Sequence, residues 1–114
     1  MRGEIWFAEF PTDPPGKGKR PAVIVSLDGR NLHPRAVGVL IVPLTTSIHK
    51  ASSMRLLLLA GDTGLQSDSL ACPEDITLMP KTRLHRPIGV LRRLSNQRIC
   101  ELSEMVRMAM GCQD

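Results

Sequence analysis

Every proline in this 114-residue chain falls at or before Pro87, and eight of the nine glycines precede residue 94. Between these breaks lie apolar runs too short for a stable helix, which needs about 12 residues or more in water. The first 94 residues therefore read as strands and loops. Residues 4–10 alternate, with Trp6, Ala8 and Phe10 on one side and Ile5, Phe7 and Glu9 on the other. Residues 22–27 and 37–44 are β-branched apolar runs of strand length, separated by a loop over 28–36. Residues 54–60 hold four consecutive leucines but are bounded by serines and by Gly61, so they too predict a strand. Residues 64–68 read as a turn. Residues 69–72 and 76–79 read as strands around a Pro73-Glu74-Asp75 kink, and 87–91 as a last brief strand. Only past residue 94 does the pattern change. Ser95 offers an N-cap, Ile99, Leu102, Met105 and Val106, and Ala109 and Met110 recur at helical spacing, and Gly111 closes the run. This predicts a mainly β, α+β chain: a small, strongly bent sheet or barrel with one amphipathic helix packed across it. At this length a single domain over residues 1–114 buries roughly two thirds of the surface of its unfolded chain.

Charge and aromatic content narrow the partners. The formal charge is +4, from 15 Lys and Arg against 11 Asp and Glu, and 11 of the 15 cations are arginine, which suits bidentate contact with phosphate or carboxylate. Lys17, Lys19, Arg20, Arg30, Arg35, Lys50 and Arg55 form one basic tract, opposed only by Asp28. Residues 81–98 carry six cations and no acid, and 62–75 between them carry four acids and no base. A polyanionic partner fits this layout. An extended stacking platform for single-stranded nucleic acid does not, because the only aromatics are Trp6, Phe7 and Phe10, all in the first strand.

Cys72, Cys100 and Cys112 lie far apart with no CxxC or Cys/His spacing, which supports neither a zinc site nor a disulfide framework. No metal or cofactor is expected. The start of the chain shows no apolar stretch of signal-peptide length, and no run is long enough to span a membrane, so a reducing cytoplasm is the expected location.

Chemistry points to one place. Arg20 precedes Pro21, which holds it extended at the junction of a cationic loop and a strand. Thr45-Thr46-Ser47 follows the apolar run 37–44, at the corresponding strand end. If the two strands are neighbours, a guanidinium and a hydroxyl meet, which is a minimal phosphate site. Each half also has a structural reading: a loop-to-sheet junction for Arg-Pro, and a turn satisfying its own backbone for Thr-Thr-Ser.

Taken in order, the motifs resemble the MazF/PemK family of toxin endoribonucleases from bacterial toxin–antitoxin pairs. Arg2-Gly3-Glu4-Ile5-Trp6 with Pro11-Thr12, then Arg20-Pro21-Ala22-Val23-Ile24-Val25-Ser26, then Val42-Pro43-Leu44-Thr45-Thr46-Ser47 are similar to the family's first three segments. Gly64-Leu65 with Asp68-Ser69 and Cys72, Arg83 with Ile88-Gly89, and the C-terminal helix extend the match over nearly the whole chain. The resemblance implies an SH3-like β-barrel, usually homodimeric. It implies metal-independent cleavage of single-stranded RNA to a 2′,3′-cyclic phosphate and a 5′-hydroxyl. The implied partner is an antitoxin that lays an acidic segment over the RNA-binding surface. Carried over by position, the catalytic arginine is Arg20 and the catalytic threonine Thr45. Lys17, Lys19, Thr46 and Ser47 beside them are the expected RNA-binding residues.

Two departures stand out. The loop before Arg20 is shorter, richer in proline and more basic than is common in the family, and Pro73 stands where some members have an Asp after the Cys. Both remove acidic groups, and Lys17 and Lys19 add phosphate attraction that falls with salt. The same barrel also serves gyrase-poisoning toxins, which bind a protein and cleave no RNA. Arg20 with Thr45 favours the nuclease, and a purely RNA-binding barrel is the third reading.

Overall fold

The computed structural model describes residues 1–10, 18–47, 54–86 and 93–111. Among these residues seven strands form one antiparallel sheet: β1 (Ile5–Ala8), β2 (Arg20–Ile24), β3 (Gly38–Thr45), β4 (Leu56–Leu58), β5 (Ser69–Ala71), β6 (Thr77–Pro80) and β7 (Leu84–His85). Among the described residues three α-helices accompany it: α1 (Asp28–Asn31), α2 (Ala60–Thr63) and the long α3 (Asn96–Ala109). The path runs β4-β5-β3-β2-β1-β7, and β6 pairs with β3 off this path. Among the described residues no pairing joins β4 to β7, so the expected bent sheet is open and the barrel is not closed by hydrogen bonds. The expected strand at 87–91 lies outside the described residues. The strand nearest to it in sequence is β7, paired with β1.

The long strand β3 organises the sheet. One of its edges carries β2, in the register Ala22↔Pro43, Val23↔Val42 and Ile24↔Ile41. The other edge carries two strands in succession: β6 along residues 38–41, then β5 along 44–45. Pro43 sits at the handover. Its carbonyl accepts from the Cys72 amide at 3.0 Å. Because a strand residue's N and O face the same edge, its missing N–H falls where β6 has ended and β5 begins.

The core lies on both faces, which is why the strand sequences read as near-continuous apolar runs. On one face Ile5, Val23, Val42, Leu44, Leu56, Leu58 and Ala71 pack against Leu94, Ile99 and Leu102, which belong to α3 and its approach. On the other, Ala8, Ala22, Ile24, Val39, Ile41 and Met79 cluster, with Trp6, Phe10 and Leu84 half-buried beside them. The leucine run divides by alternation: Leu56 and Leu58 point into the core, while Leu57 and Leu59 are exposed.

The helix ends follow the sequence signals. The Ser95 hydroxyl accepts from the Arg98 amide at 3.3 Å, and Gly111 takes a left-handed φ of +71° just past α3. Gly3 is demanded by geometry. Its φ is +90°, and a Cβ there would sit 3.0 Å from the Leu94 carbonyl, whose own amide donates to the Gly3 carbonyl at 2.9 Å. That close approach fixes the entry to α3 against the start of β1. The loop expected over 28–36 instead begins with α1. The Asn31 side chain, buried under it, donates to the Ser26 carbonyl at 2.7 Å and to Asp28 Oδ1 at 3.1 Å.

Candidate functional site

Arg20 and Thr45 are the terminal residues of adjacent strands. Carrying the β2–β3 register on from Ala22↔Pro43 by two residues sets Arg20 opposite Thr45. Arg20 also stands opposite Ala8 of β1, and Thr45 opposite Leu70 of β5. Alternation puts Arg20 with Ala22 and Ile24, and Thr45 with Val39 and Ile41, so both side chains belong to the face away from α3. The structure thus brings the two residues to one sheet end and one face. Thr46 and Lys19 are exposed beside them, Ser47 is half-buried, and Lys17 lies outside the described residues.

Proline chemistry keeps this end open. The Val25 amide donates to the Leu40 carbonyl at 2.9 Å, so Val23 and Pro21 face the same β3 edge. Pro21 has no N–H to give, and the ladder between the two strands stops at Ala22↔Pro43. Thr45 Oγ1 accepts from the Ser47 amide at 3.2 Å, which is the self-satisfying turn that a hydroxyl run forms. That bond uses an oxygen lone pair and leaves the hydroxyl proton to be donated elsewhere.

The Arg20 guanidinium carbon sits 5.0 Å from the Phe10 ring centroid. Stacking over an aromatic face limits the rotamers of a long side chain and so pre-sets the direction of its charge. A second pair of the same kind joins Arg86 to Trp6, at 5.1 Å. Neither pair is legible in the sequence as a pair, since each joins residues ten or more positions apart. The available signal was parity: Trp6 and Phe10 share the face that also receives Arg20.

Behind the site, burial pushes the Cys72 thiol above its ordinary pKa, against the pull of Arg55 and Arg20, so it stays protonated at neutral pH. Donor atoms of Cys72, Glu74 and Asp75 lie within 4.8 Å of one another. Arg55 Nη2 already sits 2.8 Å from Glu74 Oε1, and a protonated thiol is a poor ligand, so this donor set reads as a charge-paired turn. No helix among the described residues is long and apolar enough to cross a membrane.

The chain is similar to known proteins over nearly its whole length. The family model described as PemK-like, MazF-like toxin of type II toxin-antitoxin system matches residues 1–109. Endoribonuclease MazF9 of Mycobacterium tuberculosis (strain ATCC 25618 / H37Rv) is 36% identical over 115 residues, covering 94% of this chain and 92% of the relative. Probable endoribonuclease MazF2 of Mycobacterium tuberculosis (strain CDC 1551 / Oshkosh) is 30% identical over 113 residues, covering 97% and 98%. Among solved structures, Mycobacterium tuberculosis toxin MazF-mt6 superposes with a TM-score of 0.73 at 18% identity, covering 97% of this chain and 99% of that one. An endoribonuclease in complex with its cognate antitoxin, from Mycobacterial species, superposes with a TM-score of 0.70 at 20% identity, covering 100% and 95%. At those identities the structures establish the fold alone. The family match over nearly the whole chain, together with two relatives at 30% identity or more, makes this chain a member of the PemK-like, MazF-like toxin family of type II toxin–antitoxin systems.

Proposed function

We propose that the chain is an endoribonuclease toxin that cleaves single-stranded RNA without a metal ion, with Arg20 and Thr45 at the reacting phosphate. The observation that carries this reading is the β2–β3 register, which, carried on past Ala22↔Pro43, sets Arg20 opposite Thr45 at an end where those two strands no longer pair. RNA supplies its own nucleophile. The ribose 2′-hydroxyl loses its proton to water as its oxygen bonds to the adjacent phosphorus, the bond to the 5′-oxygen breaks, and that oxygen takes up a proton from water. The products are a 2′,3′-cyclic phosphate and a 5′-hydroxyl. What the protein adds is alignment and charge stabilisation. Arg20, pre-set over Phe10, meets the charge that grows on the non-bridging oxygens. Thr45, its lone pair engaged by the Ser47 amide, donates its hydroxyl proton to the same phosphate. Arginine's pKa lies far above neutrality, so its role is electrostatic and not that of a proton shuttle.

Lys17, Lys19, Thr46 and Ser47 guide the flanking backbone in this reading, and the cleavage is sequence-specific. The cognate antitoxin lays an acidic segment over the same cationic face, and two copies form a homodimer to which the exposed Leu57 and Leu59 at the β4 edge contribute. RNA as substrate sets the site of action in the cytoplasm. The test is a long mixed-sequence RNA incubated in excess EDTA with the wild type, Arg20→Ala and Thr45→Ala, and the ends of each fragment analysed. Discrete cuts ending in cyclic phosphate, lost in both variants, support the proposal. Intact RNA, or an Arg20→Ala protein that cuts as well as the wild type, overturns it in favour of a binding module.

A further inference from the structure

Beside Trp6 the face that carries Arg20 opens into a cleft of about 290 Å³, lined by Trp6, Leu32, Leu84, Lys81 and Arg86 among others. This is near the lower bound of small-ligand pockets, roughly 300 Å³. Its aromatic wall is held in place. The Trp6 indole lies near enough to Glu4 to help lower its carboxyl's pKa, and the N-terminal ammonium bonds that carboxylate. Arg86 falls opposite Trp6 when the β1–β7 register is carried on by one residue from Phe7↔His85, and its guanidinium lies over the indole.

The polar atoms around the cleft are unequal. Glu4 Oε1 is engaged by the N-terminal ammonium, and Asn31 by Ser26 and Asp28. Lys81 Nζ gives one hydrogen to the His33 carbonyl at 3.1 Å and keeps two. The charged groups at the rim with hydrogens left to give are therefore mostly cationic, set above aromatic and aliphatic walls. A flat ring with apolar faces and carbonyl oxygens on its edge, joined to an anionic backbone, matches such a cleft in shape, polarity and charge. Position agrees. Trp6 precedes Phe10, the ring under Arg20, by four residues on the same side of the strand, about 13 Å, or roughly two steps of an extended single strand.

We propose that the Trp6 cleft is a nucleobase subsite that takes a base with exposed carbonyl oxygens, uracil or guanine, about two nucleotides from the phosphate held at Arg20. It rests on the ribonuclease reading and adds to it a place where base identity is read. Arg86 and Lys81 select the base through its edge.

Trp6 is the chain's single tryptophan, so its fluorescence reports on this cleft alone. The probes are 2′-O-methyl pentamers of uridine and of cytidine, which cannot be cut by their own 2′-oxygen and differ on the base edge, where uracil has an oxygen and an N3–H and cytosine an amino group and a bare N3. The expected result is quenching by both, with the uridine pentamer binding about fivefold or more tightly, the lower end of what one good edge contact supplies. Arg86→Ala and Lys81→Ala should each narrow that ratio to under twofold while keeping the thermal midpoint of the wild type. Absence of quenching, an equal response to the two pentamers, or an unchanged ratio in both variants overturns the proposal. So does quenching by an acidic peptide when neither pentamer quenches, which would make the cleft a protein contact. Cutting of a long RNA in EDTA, scored on the same preparation, separates the two readings. Cuts without uridine preference sink the subsite alone, and preference without cuts sinks the ribonuclease alone.

Discussion

Replacing Thr45 by valine keeps the β-branched shape and deletes one oxygen, which makes it the cleanest perturbation of the proposed centre. Two effects separate by size. The Ser47 amide loses its acceptor at 3.2 Å, a neutral and half-exposed bond, so stability should fall by about 0.5–1.5 kcal/mol. In a domain of this size that lowers the thermal midpoint by roughly 2–8 °C. The reaction loses one oriented donor to a developing charge, which costs about 100- to 1000-fold in rate. A rate loss of that size exceeds anything the lost stability can produce at 25 °C, where the variant remains folded. Thr45→Ser restores the oxygen and should recover to within about tenfold of the wild type, on the same reasoning about the donor. The assay is the initial rate of cutting of an end-labelled RNA in EDTA, with thermal unfolding followed by circular dichroism on the same samples. A valine variant that cuts within threefold of the wild type, or a serine variant as inactive as the valine one, would refute the donor role.

Four further outcomes are expected. Leu102→Ala, at a side chain with no exposure between α3 and the sheet, should cost about 2–5 kcal/mol in urea unfolding; a loss below 1 kcal/mol would mean the helix is not seated as described. The logarithm of RNA affinity should fall with log salt at a slope of about −3, for contacts from Lys19, Arg20, Lys81 and Arg86, and a slope near zero would remove the electrostatic reading of this face. In alkylation followed by peptide mapping, the exposed Cys100 should react in the native protein and Cys72 only after unfolding; equal labelling would contradict the buried, protonated thiol. Burial opposes ionisation of Glu4, but the N-terminal ammonium, Trp6 and Arg86 outweigh it and hold its carboxyl below the ordinary value of 4.5. A depressed carboxyl stabilises the fold above its unfolded pKa, and that contribution is lost as pH falls through the folded value. Glu4→Gln should therefore flatten the decline of the thermal midpoint below pH 4.5, and an unchanged acid limb would sink the assignment.

Much of this was legible because local rules and tertiary needs coincide. The run 37–44 reads as a strand and is one, since β-branched residues buried on both faces admit little else. Ser95 reads as a cap and caps. Arg20 and Thr45 read as polar interruptions at strand ends, and their placement at one sheet end required only that the two strands be neighbours. Other features depend on pairings the sequence does not encode locally. Residues 28–31 carry turn composition, yet they coil into α1 because the buried Asn31 side chain bonds back to Ser26 and Asp28. The sharing of one β3 edge between β6 and β5 hangs on Pro43, whose meaning emerges only once both neighbours are placed. The arginines over Phe10 and Trp6 are likewise tertiary facts.

Those two pairs revise what scarcity of aromatics implies. With only Trp6, Phe7 and Phe10 available, a run of stacked bases is excluded, and packing against the second cluster accounts for one side of both Trp6 and Phe10. Each nonetheless carries a guanidinium on a ring face. Core burial and cation placement are then the same contact seen from two sides: a ring wedged into the sheet cannot move, and the arginine stacked on it inherits part of that immobility. For Arg20 the consequence is catalytic in the proposed reaction, because a charge already aimed at the phosphate loses less freedom when the transition state forms. For Arg86 the consequence is selective, because a donor held at a fixed height on a cleft wall can tell one base edge from another. One strand, β1, carries or leads into both rings on one face, so the spacing between cutting and reading is set by strand pitch and not by loop conformation.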